Sequence, residues 1–105
     1  MSPANKVDKK MFAVVVRYIK PIEQVDAVLA PHRAYLQSNC DAGRFLVAGP
    51  QAPRTGGLIL ARAESKEELR KLLEEDPFNK AGVAEYDIIE FVPTIYAPAF
   101  AVFTT

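Results

Sequence analysis

The feature that most constrains this chain is a run of six consecutive apolar residues, Met11 to Val16, which Arg17 ends. A membrane helix needs about 20 apolar residues, so the run is too short to cross a bilayer. Its valines and aromatic residue favour a β-strand, which we place at Phe12–Ile19, before Pro21. Successive residues of a strand point to opposite faces of a sheet. Both faces of this strand are therefore apolar, and both need cover.

Two helical segments and three further strands follow. Pro31 suits the start of a helix that runs to about Ala42, because a missing N–H costs nothing there, and Gly43 suits its end. Ser65 and Glu68 have the spacing of a capping box and predict a second helix that ends at Asp76, before Pro77. The other segments are a short helical turn or approach loop (Ile22–Ala30), strands at Arg44–Ala48, Gly57–Ala63 and Tyr86–Val92, and a tight turn at Phe78–Gly82.

The resulting order, β-α-β-β-α-β, predicts an α+β chain with a ferredoxin-like split βαβ arrangement. Four strands form an antiparallel sheet, and the two helices cover one of its faces. Strand four is apolar on both faces too, since it contains Ile88, Ile89, Phe91 and Val92. A bare apolar face of that size is unusual for a monomer. We therefore expect a second copy to pack sheet against sheet, giving a homodimer or a larger ring built from dimers.

Three regions are expected along the chain. Residues 1–10 are a polar extension, residues 11–93 form the domain, and residues 94–105 form an apolar tail. The tail contains Ile95, Tyr96, Phe100, Val102 and Phe103, which is too apolar for a free segment. Two placements stay open: against the partner subunit or the rim of a pocket, or folded back on its own domain.

The charge balance and the cysteine count exclude several functions. Lys and Arg together number 13 and so do Asp and Glu, which argues against a protein that binds the phosphate backbone of nucleic acid. Cys40 is the only cysteine, so an internal disulfide and a cysteine metal cluster are both excluded, and the cytoplasm is the expected compartment. Neither a nucleotide-binding glycine pattern nor a membrane segment is present.

The only histidine, His32, falls on the apolar face of the first helix. Its neighbours on that face, three and four residues apart, are Val25, Val28, Leu29, Tyr35 and Leu36. A buried imidazole needs partners for its ring nitrogens, and Asp76 is the best-placed acid. A His–Asp pair beside an apolar wall could transfer protons, or it could be a structural hydrogen bond between the helices.

Other polar residues are weaker candidates. Tyr35, one turn after His32, could donate to a substrate oxygen, but core packing explains it as well. Arg17 in a strand and Arg54 in a loop could bind a carboxylate or phenolate, although a solvated charge is the simpler interpretation of each. Cys40 is about 12 Å from His32 along the helix axis, at 1.5 Å per residue, which opposes a Cys–His pair.

Three segments resemble the YCII-related family of the dimeric α/β-barrel superfamily. They are Pro31-His32-Arg33-Ala34-Tyr35-Leu36, Gly43 to Pro50, and Asp76-Pro77-Phe78 continuing to Val83. The resemblance covers about Met11 to Val92 and implies ferredoxin-like subunits that pair through their sheets. It also implies that His32 and Asp76 face a small pocket, with Phe78 of the third segment as a possible ligand contact. The long apolar tail and the N-terminal extension depart from the family core.

These observations lead to two hypotheses. The first is a cofactor-independent enzyme without a metal, in which His32 and Asp76 carry out elimination or isomerisation on a small organic, cyclic or aromatic molecule. The second is a non-catalytic module that binds a small ligand, with an accessory or regulatory role. The resemblance supports a pocket and acid–base chemistry but names no substrate.

Overall fold

The strands and helices follow the expected order in a computed structural model, which describes residues 10–104. The elements are β1 (Lys10–Tyr18), α1 (Ile22–Ala27), α2 (Leu29–Asp41), β2 (Phe45–Pro50), β3 (Gly56–Ala63), α3 (Lys66–Leu73), α4 (Pro77–Lys80), β4 (Ala84–Phe91) and a 3-10 helix (Pro98–Thr104). The predicted extension, residues 1–10, lies outside the described residues except for Lys10, which begins β1. No helix of residues 10–104 is long and apolar enough to span a bilayer.

The four strands form one antiparallel sheet in the order β2-β3-β1-β4. β1 is central, with Val14 opposite Ile59 of β3 on one side and Ile88 of β4 on the other. The helices lie on one face of the sheet, as the ferredoxin-like prediction required. The ferredoxin-like prediction is therefore confirmed. It could be made from the sequence because few other arrangements would bury apolar segments that occur in this order.

The core lies between this face and the helices. Alternate residues of β1, Phe12, Val14 and Val16, are buried against side chains of the helical layer. The helical side chains of the core are Val25, Leu69, Leu73 and Phe78. Burying a side chain of this size contributes about 1.5–3 kcal/mol, so these contacts fix where the helices sit.

Several helix boundaries differ from the prediction. α2 begins at Leu29, two residues before Pro31, since proline is tolerated throughout the first turn, where N–H groups have no partner within the helix. α3 ends at Leu73 instead of Asp76, because the N–H groups of Glu75 and Asp76 bond to carbonyls only three residues back.

The predicted tight turn at Phe78–Gly82 is wrong at its start. Pro77–Lys80 form the short helix α4, in which Pro77 occupies the first turn and Asp76 is the N-cap. At the start of α3, the Ser65 cap is confirmed, since its Oγ accepts the N–H of Glu68 at 3.0 Å. The Glu68 carboxylate, however, accepts from Glu64 rather than from Ser65, so the capping box is only half formed.

The other face of the sheet carries exposed apolar side chains. Val47, Leu58 and Ile89 are 60%, 50% and 53% exposed, respectively. Their strands β2, β3 and β4 place them on the face opposite the helices, beside Ala13 and Val15 of β1. We call this set the open face. The prediction that two helices leave one apolar face bare holds for the single subunit.

A glycine sets the approach of β3 to β1 and gives a test of the fold. A Cβ at Gly56 would overlap the backbone oxygen of Val16, whereas a Cβ at Gly49 would meet nothing within 4 Å. We expect Gly56→Ala to lower the free energy of unfolding by more than about 2 kcal/mol, because backbone must move.

Gly49→Ala is the matched control and should change stability by less than about 0.5 kcal/mol. Urea unfolding followed by circular dichroism measures both variants. Equal stabilities of the two variants would show that the close contact at Gly56 is not maintained in solution.

Candidate functional site

Asp76 is placed by the junction between the two C-terminal helices. The following Pro77 disfavours helical geometry at Asp76, and its backbone is extended, with φ −65° and ψ 127°. This geometry turns the side chain back over the first turn of α4, where Oδ1 accepts the N–H of Phe78 at 2.9 Å. The residue is completely buried. Local chain chemistry thus puts a carboxylate inside the protein.

Three donors from three elements converge on that carboxylate. In addition to the Phe78 N–H, Oδ1 contacts Nδ1 of His32 on α2 at 2.7 Å, and Oδ2 accepts the hydroxyl of Tyr86 on β4 at 2.7 Å. A carboxylate with these partners is an acceptor, so we assign the proton of the imidazole to Nδ1. The pair predicted from the sequence therefore exists, and the acid has a further partner in Tyr86.

His32 is held by stacking as well as by its hydrogen bond. Its ring lies parallel to that of Phe78, with centroids 3.5 Å apart and an angle of 3° between the planes. The side chain is 10% exposed. Nε2, on the ring edge opposite Asp76, has no hydrogen-bond partner within residues 10–104. One nitrogen is thus fixed, and the other is available to a ligand.

His32 lines a cleft of about 510 Å³. It lies between α2 and the strands β1, β2 and β3, and its volume is that of ordinary small-molecule sites. Apolar lining residues are Val16, Leu29, Leu36, Ala48, Pro50, Leu58, Ile59 and Phe78, and polar ones include Tyr18, His32, Arg33, Gln37 and Arg54. The cleft is thus lined by a histidine, two arginines and apolar side chains.

Arg54 ties the loop between β2 and β3 to the opposite wall. Its Nη2 lies 2.8 Å from Oδ1 of Asp26, its Nε donates to the hydroxyl of Tyr18 at 3.3 Å, and its guanidinium lies over the Tyr18 ring. The hydrogen bond with Asp26, followed by that with Tyr18, raises the pKa of Arg54. The Tyr18 ring in turn meets Phe78 edge to face, with centroids 5.9 Å apart. Aromatic contacts therefore connect Arg54 to the ring that supports His32.

Two predicted ligand-binding candidates lie elsewhere. Tyr35 donates its hydroxyl to the carbonyl of Leu72 at 2.7 Å, and its ring packs on Phe45, so it links α2 to the end of α3. Arg17 bonds to Glu85 and Asp87 on β4 and lines a separate groove. The cleft thus brings together His32, Phe78 and Arg54 of the predicted residues, with Asp76 directly behind His32.

Cys40 lines the same cleft, on α2. Burial, and next the charge of Asp41, raise the pKa of its thiol, which keeps it protonated and unreactive at neutral pH.

Within residues 10–104, no group of three or more histidine, cysteine, aspartate or glutamate side chains is arranged to hold a metal ion.

Sequence reasoning missed Tyr86 and Tyr18. Both lie in strands on the face that packs against the helices, in line with Val16 and Val14 of β1. A tyrosine at such a position has a hydroxyl that needs a buried hydrogen-bond partner. This requirement could have identified both tyrosines as candidates from the sequence. The partner itself could not be read from the sequence, because Tyr86 and Asp76 meet through packing of β4 against the helical layer.

Two solved structures show what this fold resembles. The 5-chloro-2-hydroxyhydroquinone dehydrochlorinase of Burkholderia phenoliruptrix AC1100, in complex with 2,5-dihydroxybenzoquinone, is 27% identical over 77% of this chain and 90% of its own, with a TM-score of 0.63. SnoaB, a cofactor-independent oxygenase from Streptomyces nogalater, is 12% identical over 88% of this chain and 99% of its own, with a TM-score of 0.50. The second likeness concerns the fold alone.

Sequence comparison identifies the family. A search of curated protein sequences finds no match. The profile of the YCII-related domain matches residues 11–92, which is most of the chain and includes both His32 and Asp76. The chain therefore belongs to the YCII-related family.

Proposed function

We propose that the chain is a cofactor-independent enzyme that moves a proton on a small cyclic or aromatic molecule, with His32 as the proton carrier. The observation that carries this proposal is the asymmetry of the imidazole: Nδ1 is fixed by Asp76, while Nε2 has no hydrogen-bond partner among residues 10–104 and His32 lines the cleft. General acid–base catalysis needs such an oriented ring. Asp76 orients the imidazole and stabilises the imidazolium that forms.

The proposed reaction starts with removal of an acidic proton by Nε2. The proton comes from a carbon or hydroxyl group of a ring that carries a carbonyl or phenol. The electron pair left behind then expels a leaving group as an anion, which is elimination, or is protonated at another atom by the imidazolium, which is isomerisation. The dehydrochlorinase relative, which was solved with a dihydroxybenzoquinone, supports a small oxygenated ring as the class of substrate.

Arg54 and Phe78 are the ligand contacts that we propose beside the dyad. Arg54 carries a cation at the cleft, and phenols and quinones with acidic hydroxyl groups are anions that a guanidinium binds well. Phe78 fixes the plane of the imidazole and adds apolar surface to the same wall. The proposed reaction does not use the thiol of Cys40.

We propose the cytoplasm as the location of this chain, because its single cysteine fits a reducing compartment.

A non-catalytic ligand-binding module is the second candidate. Asp76 joins α2, α4 and β4 through three hydrogen bonds, and a purely structural role would explain that arrangement. The cleft would then bind a metabolite for an accessory or regulatory purpose without turnover. Ligand binding without product formation distinguishes this candidate from the enzyme.

The enzyme hypothesis predicts a large loss of activity in His32→Gln. With 5-chloro-2-hydroxyhydroquinone as the probe substrate, we expect chloride release by the wild type and at least a 100-fold lower kcat in this variant, the usual scale of general acid–base catalysis. Ion chromatography measures the chloride, and a thermal shift with 2,5-dihydroxybenzoquinone measures binding separately.

Arg17→Gln is the matched control, because the Arg17 side chain bonds to exposed carboxylates of β4 and lies outside the cleft, and it should retain kcat within about twofold. Retained chloride release in His32→Gln would remove the histidine mechanism. A thermal shift without any chloride release from the wild type would favour the binding module.

We also propose that a second copy of this chain covers the open face. Three residues there are at least half exposed, namely Val47, Leu58 and Ile89, and they form one surface with Ala13 and Val15. A continuous apolar surface across four strands is costly to leave in water. The chain carries no net charge that would oppose self-association.

The tail is proposed to border that interface. Arg62, which lies on the same face as Ala13, donates from Nη1 to the carbonyl of Phe103 at 3.4 Å, while Ile95 is 95% exposed. Part of the tail thus contacts its own domain, and part offers apolar surface to a partner. Removing residues 97–105 is expected to weaken the dimer.

Ile89→Asp should turn the dimer into a monomer. The substitution puts a charge on the apolar surface of the proposed interface, where it would lose hydration without a partner. Sedimentation at micromolar concentration should give a dimer for the wild type and a monomer for the variant.

Glu67→Lys changes a charge on the solvent side of α3 and is the control that should stay dimeric. A monomeric wild type at micromolar concentration would contradict the proposed dimer.

A further inference from the structure

We propose that Tyr86 is a positioning residue that sets the proton affinity of His32 through Asp76. Among residues 10–104, Tyr86 makes no hydrogen bond to the imidazole, and it is not itself one of the residues that line the cleft. Its hydroxyl donates to Oδ2 of Asp76 at 2.7 Å, on the oxygen that His32 does not use. This inference rests on the proposed function only in taking His32 as the proton carrier.

The two oxygens of Asp76 are held differently. Oδ1 contacts the N–H of Phe78 and Nδ1 of His32, and both of these belong to the helical layer. Within residues 10–104, Oδ2 has a single hydrogen-bond donor, the Tyr86 hydroxyl, which comes from the sheet. Tyr86 therefore fixes the rotation of the carboxylate against β4, and with it the direction in which Oδ1 meets the imidazole.

The phenol also limits the negative charge that His32 experiences. Burial, followed by the charge of Asp76 and the hydrogen bond itself, raises the pKa of Tyr86 above its usual range, so the hydroxyl remains a donor throughout neutral pH. The positive end of its dipole points at the carboxylate. Removing the hydroxyl therefore leaves a stronger negative field at the imidazole, and His32 should bind its second proton more tightly.

Other charged and titratable groups surround the pair but are untouched by a change at Tyr86. Tyr35 interacts electrostatically with Asp76, and also with Glu75 and Arg44. On the cleft side, the groups facing His32 are Arg33, Arg54, Tyr18 and Cys40. A shift caused by Tyr86→Phe can thus be assigned to the lost hydroxyl when a comparable tyrosine substitution does not reproduce it.

Tyr35→Phe provides that comparison. Tyr35 is also partly buried and also makes a 2.7 Å hydrogen bond, but its acceptor is the carbonyl of Leu72 rather than Asp76. Because His32 is the only histidine of this chain, 15N NMR of the uniformly labelled chain reports its titration and its tautomer without ambiguity. No substrate is needed, so this experiment and the chloride-release assay can fail independently.

We expect Tyr86→Phe to move the His32 titration midpoint upward by about 0.5 to 1 pH unit, which is about a 3- to 10-fold gain in proton affinity. Tyr35→Phe should move it by less than about 0.2 unit. Circular dichroism confirms that each variant is folded. Equal shifts in the two variants, no shift, or a downward shift in Tyr86→Phe would each overturn the proposal.

A second variant covers the case in which Tyr86→Phe does not fold. Tyr86→3-fluorotyrosine keeps the shape of the ring and makes the hydroxyl a stronger donor, so it should draw more charge from Asp76. The His32 midpoint should then move downward, opposite to the effect of Tyr86→Phe. An unchanged or raised midpoint in this variant would also overturn the proposal.

Discussion

The buried carboxylate of Asp76 is the group on which the arrangement of the site depends. An ionised side chain inside a protein is strongly unfavourable unless donors replace the water that it loses. Here the donors come from α2, from α4 and from β4. The lost hydration of the carboxylate is therefore replaced only when these three elements meet at one point. The same contacts that make the charge tolerable also align the imidazole. Stability and orientation are thus two effects of one set of hydrogen bonds.

The sheet brings the parts of the cleft together. β1 is central, and its inward residues support the helical layer, while β2 and β3 and their connecting loop form the wall opposite α2. Arg54 reaches from this loop to Asp26 on α1, so the entrance is bounded by elements far apart in sequence. His32 and Asp76 are held by the helices, whereas the loop contributes the charged side chain of Arg54 to the lining of the cleft. Such a division lets one scaffold accept different ligands by changing loop residues.

Much of the fold could be predicted from the sequence, since the strands are marked by β-branched runs and the helices by Pro31, Ser65 and periodic leucines. His32 and Asp76 were predictable because a lone imidazole on an apolar face requires a partner. Tyr86 was not, because its contact with Asp76 depends on how β4 packs beneath the helices, which no local pattern encodes. The helix α4 was missed for a related reason: the pre-proline aspartate was interpreted as the end of one helix, although its side chain also caps the next. Residues whose importance arises from long-range packing are the ones that local patterns leave out.

The parallel stacking of His32 on Phe78 has a consequence for how any ligand is recognised. With one ring face covered by Phe78 and one edge occupied by Asp76, the imidazole can be approached productively only at Nε2, close to the plane of the ring. Proton transfer is favourable when the donor atom lies along the nitrogen lone pair, which is in that plane. In the proposed reaction the site would select by direction: among the acidic hydrogens of a flat molecule, only one that points along this line would reach Nε2. Regioselectivity would then arise from the orientation of the ligand ring relative to the imidazole of His32. No separate contact for each substituent of the ligand would be needed.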